Sequence, residues 1–477
     1  MNAVPVEALL QALRAIVGPA HVLTQPEDCQ AYASDWRRQY PGRALAVVRP
    51  ANTAEVAAVV KACAQARTAV VPQGGNTGLV GGSTPDASGA EVVLSLKRMN
   101  AVRTLDVLNN SMTLEAGCTV LQAQEAAAQV QRLFPLSLAS EGSACVGGVL
   151  GTNAGGEQVL RYGNTRDLTL GLEVVLADGR IWNGLSALRK DNTGYDLRHV
   201  FVGSEGTLGV ITAATFKLFA QPRQVVTVWA ALPHPEAAVQ LLSMLTDAVG
   251  ERVTAFELMG REVLSQVLAH GQPGMRDPLG GDYPWAVLFD VSETSRRMDP
   301  TAAVESALAD AIEQGWVLDA AVAGSDAQAH AMWALREHAP EAQRLHGPSI
   351  KHDIAVPVSS IPRFIDEAGE RLQALLPGVA VCCFGHVGDG NLHYNQSKPA
   401  GMADAEFLAY AERIHGVVHA VTLALHGSIS AEHGIGRLKQ EAFLASKAAP
   451  ALDLMQRIKQ AFDPNAVFNP GRLLPRP

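Results

Sequence analysis

The sequence predicts an α+β protein with a glycine-rich first domain and a second domain in which helices cover an antiparallel sheet on one side. First, 477 residues with 48% hydrophobic and 18% charged side chains suffice for two or three cores. Second, a strand–helix–strand pattern and three glycine clusters occupy the chain up to residue 221. Third, Ala-rich helical patterns alternate with short apolar strands after residue 222. The predicted domains are therefore 1–221, 222–427 and a C-terminal segment, 428–477.

Composition excludes several classes of function. The net charge of −9, without a basic tract, argues against nucleic acid or an anionic membrane as partner. We find no apolar run of about eighteen residues, the length of a membrane span, and no convincing signal peptide. The six cysteines are scattered without metal-knuckle spacing, so we expect buried packing thiols and a cytoplasmic protein.

The first elements form a βαβ unit. Apolar residues at helical spacing predict a helix over 5–18, stopped by Gly18 and Pro19. A strand over 44–48, a helix over 53–67 with Thr53 as N-cap, and a strand over 69–71 follow. A parallel pair of strands is expected here.

The second strand of this unit runs into a loop over 72–85, PQGGNTGLVGGSTP, with five glycines in fourteen residues. Such a loop after a strand typically turns backbone N–H groups towards an anion such as a pyrophosphate. The alternative is a flexible surface loop. The loop matches neither the P-loop nor the dinucleotide fingerprint, so a standard NAD site is disfavoured.

Two further glycine clusters follow at 140–156 and 201–211, on either side of a predicted hairpin over 170–182. Small residues at three separated places let the backbone approach one large, flat ligand along its length. In the second domain we predict strands over 225–232 and 285–291, and helices over 235–249, 300–314 and 404–425.

The stretch GHVGDGNLHYN, residues 385–395, reads as a hairpin with a two-residue Asp389-Gly390 turn. That turn places His386 opposite His393, close enough for two imidazoles to share one metal ion. Asn395 would point from the same face. The alternative is a hairpin with two surface histidines.

The motifs PQGGNTGLVGGS, SEGS…GTNAGG, RYGNTRD, KDNTGYDL and VGSEGTLGVIT together resemble the FAD-binding domain of the vanillyl-alcohol-oxidase or PCMH-type flavoproteins. Nearly the whole chain is similar to their D-2-hydroxyacid dehydrogenase branch. This resemblance implies a two-subdomain FAD-binding domain plus a cap domain, with the C-terminal segment returning to the FAD domain. It also implies noncovalent FAD, because the first loop has no histidine. The FAD-binding residues that it implies are Pro72, Gly74, Gly75, Asn76, Thr77, Gly78, Gly142, Ser143, Gly148, Thr152, Asn153, Gly206, Ile211 and Asn469.

The resemblance also implies a divalent metal ion held by His386, His393 and Glu432, although Glu432 alone could equally be an exposed loop carboxylate. Two imidazoles and a carboxylate suit Zn, our first choice, and also Mn, Co or Fe. His433 is then the general base, since a neutral imidazole accepts a proton at physiological pH. The alternative is that His433 only orients its neighbours.

Arg336 and Lys351 match positions that hold substrate carboxylate in the family, and Asn395 would contact the substrate. Pro340 departs from the hydroxyglutarate pattern, which has a hydroxyl side chain there. The resemblance implies oxidation of a D-2-hydroxyacid to the 2-oxoacid, with hydride transfer to flavin N5. D-2-hydroxyglutarate is the leading substrate, and D-lactate or D-malate are alternatives.

A non-haem iron oxygenase would also use two histidines and one carboxylate, but it would not need three glycine-rich stretches. A non-enzymatic flavin-binding protein is the third alternative. An electron-transfer flavoprotein and a quinone are both candidate electron acceptors, and a homodimer is left open.

Overall fold

The computed structural model describes residues 5–295 and 297–476. The strands, in chain order, are β1 Val22–Leu23, β2 Ala44–Val48, β3 Val70–Gln73, β4 Glu91–Ser95, β5 Val102–Asp106, β6 Ser111–Glu115, β7 Arg132–Leu133, β8 Thr169–Val175, β9 Ile181–Gly184, β10 Val210–Lys217, β11 Phe219–Ala220, β12 Gln224–Leu232, β13 Val253–Gly260, β14 Trp285–Glu293, β15 Asp319–Val322, β16 Ser349–Ile350, β17 Asp353–Ala355, β18 Ala380–His386 and β19 Asn391–Ser397. The helices are α1 Val6–Val17, α2 Pro26–Ala33, α3 Thr53–Gln65, α4 Val120–Gln129, α5 Val146–Thr152, α6 Val159–Tyr162, α7 Thr165–Leu168, α8 Arg198–Phe201, α9 Pro235–Val249, α10 Arg261–His270, α11 Thr301–Glu313, α12 Asp326–Glu337, α13 Ala339–His346, α14 Ile361–Leu375, α15 Asp404–Leu408, α16 Ala411–Ala424, α17 Gln440–Ser446 and α18 Ala449–Phe462.

The chain divides into two compact units. Unit 1 comprises the described residues up to Gly156, then Gly163–Gln221 and the segment from Glu432. Unit 2 comprises Glu157–Tyr162 and Pro222–Ala431. These limits differ from the predicted domains in two places, because residues 157–162 and 428–431 both belong to unit 2. The functional domain limits stay a prediction.

The first sheet of unit 1 has the order β1-β2-β4-β3. Strands β2, β4 and β3 run parallel, as the βαβ pattern predicts, but β4 lies between the two strands that were expected to pair. The N-cap prediction for α3 was also wrong, because the side chain of Asn52 accepts the Glu55 N–H. The Thr53 hydroxyl instead donates to Glu173, a buried partner 120 residues away, so a tertiary contact displaced the local one.

The second sheet of unit 1 is antiparallel, with the order β5-β6-β10-β8-β9. The predicted hairpin over 170–182 is confirmed as β8 and β9, joined around Asp178 and Gly179. The same unit contains a two-stranded β7–β11 pair.

The C-terminal segment of unit 1 is tied to the first sheet. Phe468 forms a parallel bridge with Val70 at the start of β3. The next residue, Asn469, donates its N–H to the Val70 carbonyl at 3.0 Å. Arg472 binds both oxygens of Glu91 on β4 at 2.7 Å, and both side chains are almost fully buried. A bidentate, buried pair of this kind holds the segment in one register.

Unit 2 is built on an eight-stranded sheet with the order β15-β12-β14-β13-β18-β19-β16 and with β17 also paired to β19. Every pairing is antiparallel. Helices pack on both faces, so the expectation of helices on one side was wrong. The physical reason is that consecutive residues of β12 are apolar, so both faces of the strand are buried: Val228 packs in the core with α9, α11, α14 and α16, whereas Trp229 packs with α10, α12 and α13.

The predicted two-residue turn between the histidines is wrong. Val387–Asp389 form a short 3₁₀ turn and Gly390 is left-handed, so four residues connect β18 to β19. His393 consequently pairs with Phe384, not with His386. The longer loop is held in place because the Asp389 carboxylate accepts the Asn391 N–H and the Val356 N–H donates to the Gly390 carbonyl.

The predicted long helix over 404–425 is two helices, α15 and α16, separated at residues 409–410. Both intervening residues stay in the right-handed helical region of backbone space. The predictions for α1, α9 and α11 are confirmed to within one residue at each end.

All six cysteines are free and buried, as expected of packing thiols. Within the described ranges, no helix combines the length and apolar character needed to cross a bilayer.

The Arg472–Glu91 pair generates a stability prediction. Arg472→Met should lower the free energy of unfolding by about 3–5 kcal/mol, because Glu91 is left as a buried charge without its main partner. Urea denaturation followed by circular dichroism measures this loss. Adding Glu91→Gln to the Arg472→Met variant should recover part of it. Arg180→Ala, which removes an exposed pair with Asp178, is the control and should leave stability unchanged.

Candidate functional site

The first two glycine loops of unit 1 pack against each other through their backbones. A Cβ atom on Gly75 would lie 1.9 Å from the Ser143 carbonyl oxygen, and one on Gly74 would lie 3.0 Å from the Cys145 Cβ. Only glycine permits the first approach. The two clusters that the sequence separates by some sixty residues therefore form one surface.

Beside this contact the surface is open. A Cβ atom on Gly142 or Gly148 would meet no protein atom within 4 Å. Gly148 lies in α5, where its carbonyl accepts the Thr152 hydroxyl at 3.4 Å. Asn153 ends that helix in the left-handed conformation and its side chain accepts the Arg166 N–H. The space beside these two glycines, next to the packed loops, leaves room for a ligand to approach the backbone.

The loop that follows β3 is rigidly held. Asn76 has a φ of +61°, and its side chain donates to the Ser34 carbonyl at 2.9 Å and accepts from the Ser83 hydroxyl at 2.9 Å. Thr77 next to it is half-buried and Gly78 is exposed. The loop is therefore anchored at Asn76, not mobile throughout as a surface linker would be.

The third cluster meets the C-terminal segment. A Cβ atom on Gly206, which has a φ of +67°, would lie 3.2 Å from Asn469 Nδ2 and 3.3 Å from Pro72 Cγ. Asn469 Nδ2 donates to the Glu205 carbonyl at 2.8 Å. Its Oδ1 atom is buried and has no donor among the described residues. Ile211, the last residue of this cluster, is buried in β10.

These observations test whether unit 1 fits a flavin. Three glycine clusters and the buried Asn469 amide lie in one unit, with open space beside two glycines and one buried acceptor for which the described part of the chain offers no donor. Buried acceptors are almost always satisfied. A flat cofactor that carries an N–H donor, such as FAD, fits this open space and this unsatisfied acceptor.

Glu205 fastens the loop that carries Glu432 and His433, both of which are half-buried. Its Oε1 accepts the Ile435 N–H at 2.8 Å and its Oε2 accepts the Gly436 N–H at 2.7 Å. Burial raises the pKa of Glu205, and the two backbone donors oppose that shift. The loop following the predicted metal ligand and base is thus fixed by one carboxylate.

In unit 2, a buried carboxylate lies between two predicted site residues. Glu257 on β13 accepts from Arg336 Nε at 2.6 Å and lies 3.2 Å from His386 Nε2. Its side chain is 1% exposed, against 10% for each partner. The His386 Nδ1 atom lies 3.6 Å from the Asp389 carboxylate. A cation, an imidazole and two carboxylates therefore cluster at the end of β18.

Arg336 also stacks over Phe384, with 4.8 Å from its Cζ to the ring centroid. The Phe384 ring in turn lies 4.9 Å from the His393 ring. Because Glu257 pairs with His386 and Phe384 pairs with His393, Arg336 contacts the partner of each histidine. Phe384 and His386 are two residues apart on β18 and therefore share a face of the sheet. His393 is the cross-strand partner of Phe384, so both histidines lie on the face towards α12.

Two acidic residues accompany this face. Glu157 is half-buried; loss of hydration and the charge of Glu257 raise its pKa to about 7, opposed by Arg336. Asp353 pairs with His393 across the strands, and their ligand atoms lie within 4.8 Å. The donor set of imidazoles and carboxylates suits a divalent transition metal. The imidazole nitrogens and carboxylate oxygens on this face of unit 2 are thus chemically suitable ligands for a metal ion.

The other predicted substrate residues are placed as follows. Asn395 is buried, accepts the His352 N–H at 3.0 Å and donates to Gln343 on α13 at 2.9 Å. Lys351 follows β16 and is half-buried. The side-chain amide of Asn395 is therefore hydrogen-bonded within the protein through both its oxygen and its nitrogen.

Sequence reasoning missed Glu205, Glu257, Glu157 and Asp353. A signal existed for Glu257, because a single carboxylate interrupts the otherwise uncharged strand VTAFELMG, in which every residue is buried. An unpaired charge inside such a strand is costly, so it indicates a partner. Glu205 stands between two glycines in GSEGT, where no local pattern reveals its distant backbone donors.

The fold is that of the PCMH-type flavoproteins. The chain superposes on p-cresol methylhydroxylase with a TM-score of 0.73 over 98% of this chain and 97% of that one, at 17% identity. It superposes on 4-ethylphenol oxidase from Gulosibacter chungangensis with a TM-score of 0.74 over 99% and 97%, also at 17% identity. A likeness at this identity defines the fold alone.

Sequence comparison defines the family. The description "FAD linked oxidases, C-terminal domain" matches residues 221–473, and "FAD binding domain" matches residues 44–184. The chain belongs to the FAD-linked oxidases and is an FAD-dependent oxidoreductase. It is 36% identical over 462 residues to D-2-hydroxyglutarate dehydrogenase of Xanthomonas citri pv. viticola, covering 97% of this chain and 96% of that protein. It is 34% identical over 469 residues to the enzyme of the same name from Stutzerimonas stutzeri, covering 98% of each. The mitochondrial enzyme of that name from Bos taurus is 36% identical over 467 residues, covering 98% of this chain and 83% of that protein.

The Glu205 contacts predict the rigidity of the loop. Glu205→Ala should leave two backbone N–H groups without acceptors, at about 1–3 kcal/mol each. Hydrogen–deuterium exchange of a peptide spanning 432–438 should therefore become faster. Glu205→Gln keeps one acceptor oxygen and should show an intermediate rate. Unchanged exchange in the alanine variant would contradict the role of Glu205.

Proposed function

We propose that this protein oxidises a D-2-hydroxyacid, foremost D-2-hydroxyglutarate, to the 2-oxoacid. The supporting observation is the Glu257–Arg336–His386 cluster, in which a buried cation and an imidazole share one face of a sheet with His393. Relatives that are 34–36% identical over almost the full chain carry the name D-2-hydroxyglutarate dehydrogenase. A guanidinium group at this place can bind the carboxylate of a hydroxyacid through charge-assisted hydrogen bonds.

For FAD, we propose noncovalent binding by the three glycine clusters. The pyrophosphate lies against Gly74, Gly75, Asn76, Thr77 and Gly78, after Pro72. The remaining contacts come from Gly142, Ser143, Gly148, Thr152, Asn153, Gly206, Ile211 and Asn469. The buried Asn469 Oδ1 accepts a flavin N–H, which gives that orphan acceptor its partner.

We propose His386, His393 and Glu432 as ligands of a divalent metal ion, zinc foremost and manganese, cobalt or iron as alternatives. When bound, FAD supplies N5 as hydride acceptor and the metal ion supplies positive charge beside the substrate oxygens. His433 is the general base: its neutral imidazole takes the proton of the 2-hydroxyl group. Glu205 limits the movement of His433 by holding the following loop.

Arg336 and Lys351 bind substrate carboxylate in this proposal, and Asn395 contacts the substrate. A guanidinium group has five N–H donors, so the Nε bond to Glu257 is compatible with a carboxylate on the other donors. Glu257 also fixes the direction of Arg336, which favours a single carboxylate position. Pro340, at the start of α13, has no side-chain donor, so D-lactate and D-malate stay as alternative substrates.

An external acceptor reoxidises the flavin, and an electron-transfer flavoprotein and a quinone are the two candidates. Steady-state turnover with each carrier distinguishes them. Sedimentation at catalytic concentration tests for a homodimer.

The open glycines give a test of the FAD assignment. Gly148→Ala places a methyl group where no protein atom lies within 4 Å, so the apoprotein should fold normally and α5 should gain up to about 1 kcal/mol in helix propensity. The flavin-to-protein ratio of the purified variant should nevertheless fall. Gly416→Ala, an exposed helical glycine that is equally open, is the control and should keep full flavin content. Full occupancy in Gly148→Ala would contradict the assignment.

Anaerobic mixing with D- and L-2-hydroxyacids tests the activity. We expect D-2-hydroxyglutarate to reduce the flavin fastest and the L-acids to leave it oxidised. His433→Gln should keep its flavin but reduce it about 10²–10⁴-fold more slowly, the usual range for loss of a general base. His330→Gln, an exposed histidine of α12, is the control and should be unchanged.

The same assay separates the alternatives. Removal of metal with EDTA should abolish flavin reduction without releasing flavin, and Zn²⁺, Mn²⁺ or Co²⁺ should restore it. A colourless purified protein would favour the oxygenase alternative. Flavin that no 2-hydroxyacid reduces, with or without metal, would refute the proposed function.

A further inference from the structure

Three histidines of unit 2 meet on the side of the sheet that faces α16. They are His352, in the segment between β16 and β17, and His415 and His419 on α16. One nitrogen of each lies within 4.8 Å of a nitrogen of the others. His352 is buried and the other two are half-buried. The proposed reaction uses none of them.

Helix α16 places two of the three histidines side by side. His415 and His419 are four residues apart, a spacing that places both on one helix face. Their rings are nearly parallel, 20° apart with centroids separated by 5.9 Å. Each faces the His352 ring almost edge-on, at 71° and 88°. Two histidines at this spacing on one helix are a recurrent zinc-binding arrangement.

The orientation of His352 is set by the backbone. Its Nδ1 lies 3.0 Å from the Tyr394 carbonyl oxygen, which can only accept, so Nδ1 carries the proton. Its Nε2 therefore presents a lone pair, and His415 Nδ1 lies 2.8 Å from it. An imidazole that donates one N–H to a backbone carbonyl and turns its other nitrogen inward is the usual state of a metal-bound histidine.

We propose that His352, His415 and His419 form a second binding site for a divalent transition metal ion, separate from the proposed catalytic metal. Three imidazoles favour Zn²⁺, Cu²⁺, Ni²⁺ or Co²⁺ over Mg²⁺ and Ca²⁺, which take oxygen ligands. Zn–N bonds of about 2.0–2.1 Å in a tetrahedral site separate the nitrogens by roughly 3.4 Å, so only small ring movements are needed. The ion takes the place of the proton between His415 Nδ1 and His352 Nε2, and that proton moves through solvent to His415 Nε2, so each imidazole binds in its neutral form; the fourth position is open to water.

The two proposed metal sites use opposite faces of one sheet. Tyr394, whose carbonyl orients His352, packs its ring against Phe364 of α14 with centroids 5.0 Å apart. His393, the preceding residue, lies with Phe384 on the face towards α12. Consecutive strand residues point to opposite faces. Substitutions in one site therefore leave the other site's ligands untouched.

Zinc content of the FAD-loaded, full-length protein tests the proposal. After chelation, reloading with Zn²⁺ and dialysis, mass spectrometry should find about two equivalents per chain, because each proposed site offers three protein ligands. His415→Gln and His419→Gln should each lose about one equivalent, whereas His386→Ala should lose the other. The control is His270→Gln: His270 contacts His346 at 3.3 Å in an exposed pair, and within the described ranges no third ligand completes a metal group there, so zinc content should not change.

The outcomes separate this inference from the proposed function. One equivalent that His415→Gln removes and His386→Ala leaves supports the second site and refutes the proposed catalytic metal. One equivalent that only His386→Ala removes overturns the second site. Crystals of the unaltered protein grown with Zn²⁺ give a variant-independent test, because anomalous scattering at the zinc edge should show a peak bonded to the three histidines. No peak there overturns the inference even where the variants fail to fold.

Discussion

The burial of Glu257 is the constraint on which unit 2 depends. A carboxylate that is 1% exposed inside a sheet is tolerated only with partners that offset its lost hydration. Arg336 supplies the opposite charge from α12, and His386 lies at the end of the neighbouring strand. One buried charge thus specifies where α12 packs and which way its arginine points. The positions of the Arg336 and His386 side chains therefore follow from the burial of Glu257 in the core of unit 2.

Unit 1 is assembled from separate stretches of the chain, and its last stretch begins at residue 432, after the long segment 222–431 of unit 2. In the returning segment, helix α18 has no fully buried residue, although Val467 and Phe468 join the core of unit 1. Polar groups add further anchors: Glu205 accepts from two backbone N–H groups, and Arg472 forms a bidentate ion pair with Glu91. Charged and bidentate bonds are directional, so they fix position where apolar packing would permit sliding. Asn469 is placed beside Gly206 by this anchoring.

The sequence was most informative where a local pattern decides structure. Helix periodicity located α1, α9 and α11, and a turn dipeptide located the β8–β9 hairpin. Sequence patterns could not show that β4 inserts between β2 and β3, because neither strand encodes its neighbour. The same limit applies to the candidate site. Glycine clusters predicted the surface that we propose for the cofactor, but Glu205 acts through residues 230 positions away, and no spacing rule predicts such a contact.

The hairpin shows why an error in register can leave a site intact. The predicted pairing of residue 386 with residue 393 is replaced by pairing of residue 384 with residue 393, a shift of two positions. Side chains alternate with a period of two, so a shift of one would have sent the two histidines to opposite faces, whereas a shift of two keeps them together. The same alternation turns Tyr394 away, towards α14, and directs its neighbours His393 and Asn395 to the face of α12 and α13. The strand can therefore border two separate clusters of histidines, one on each face, without either restricting the chemistry of the other.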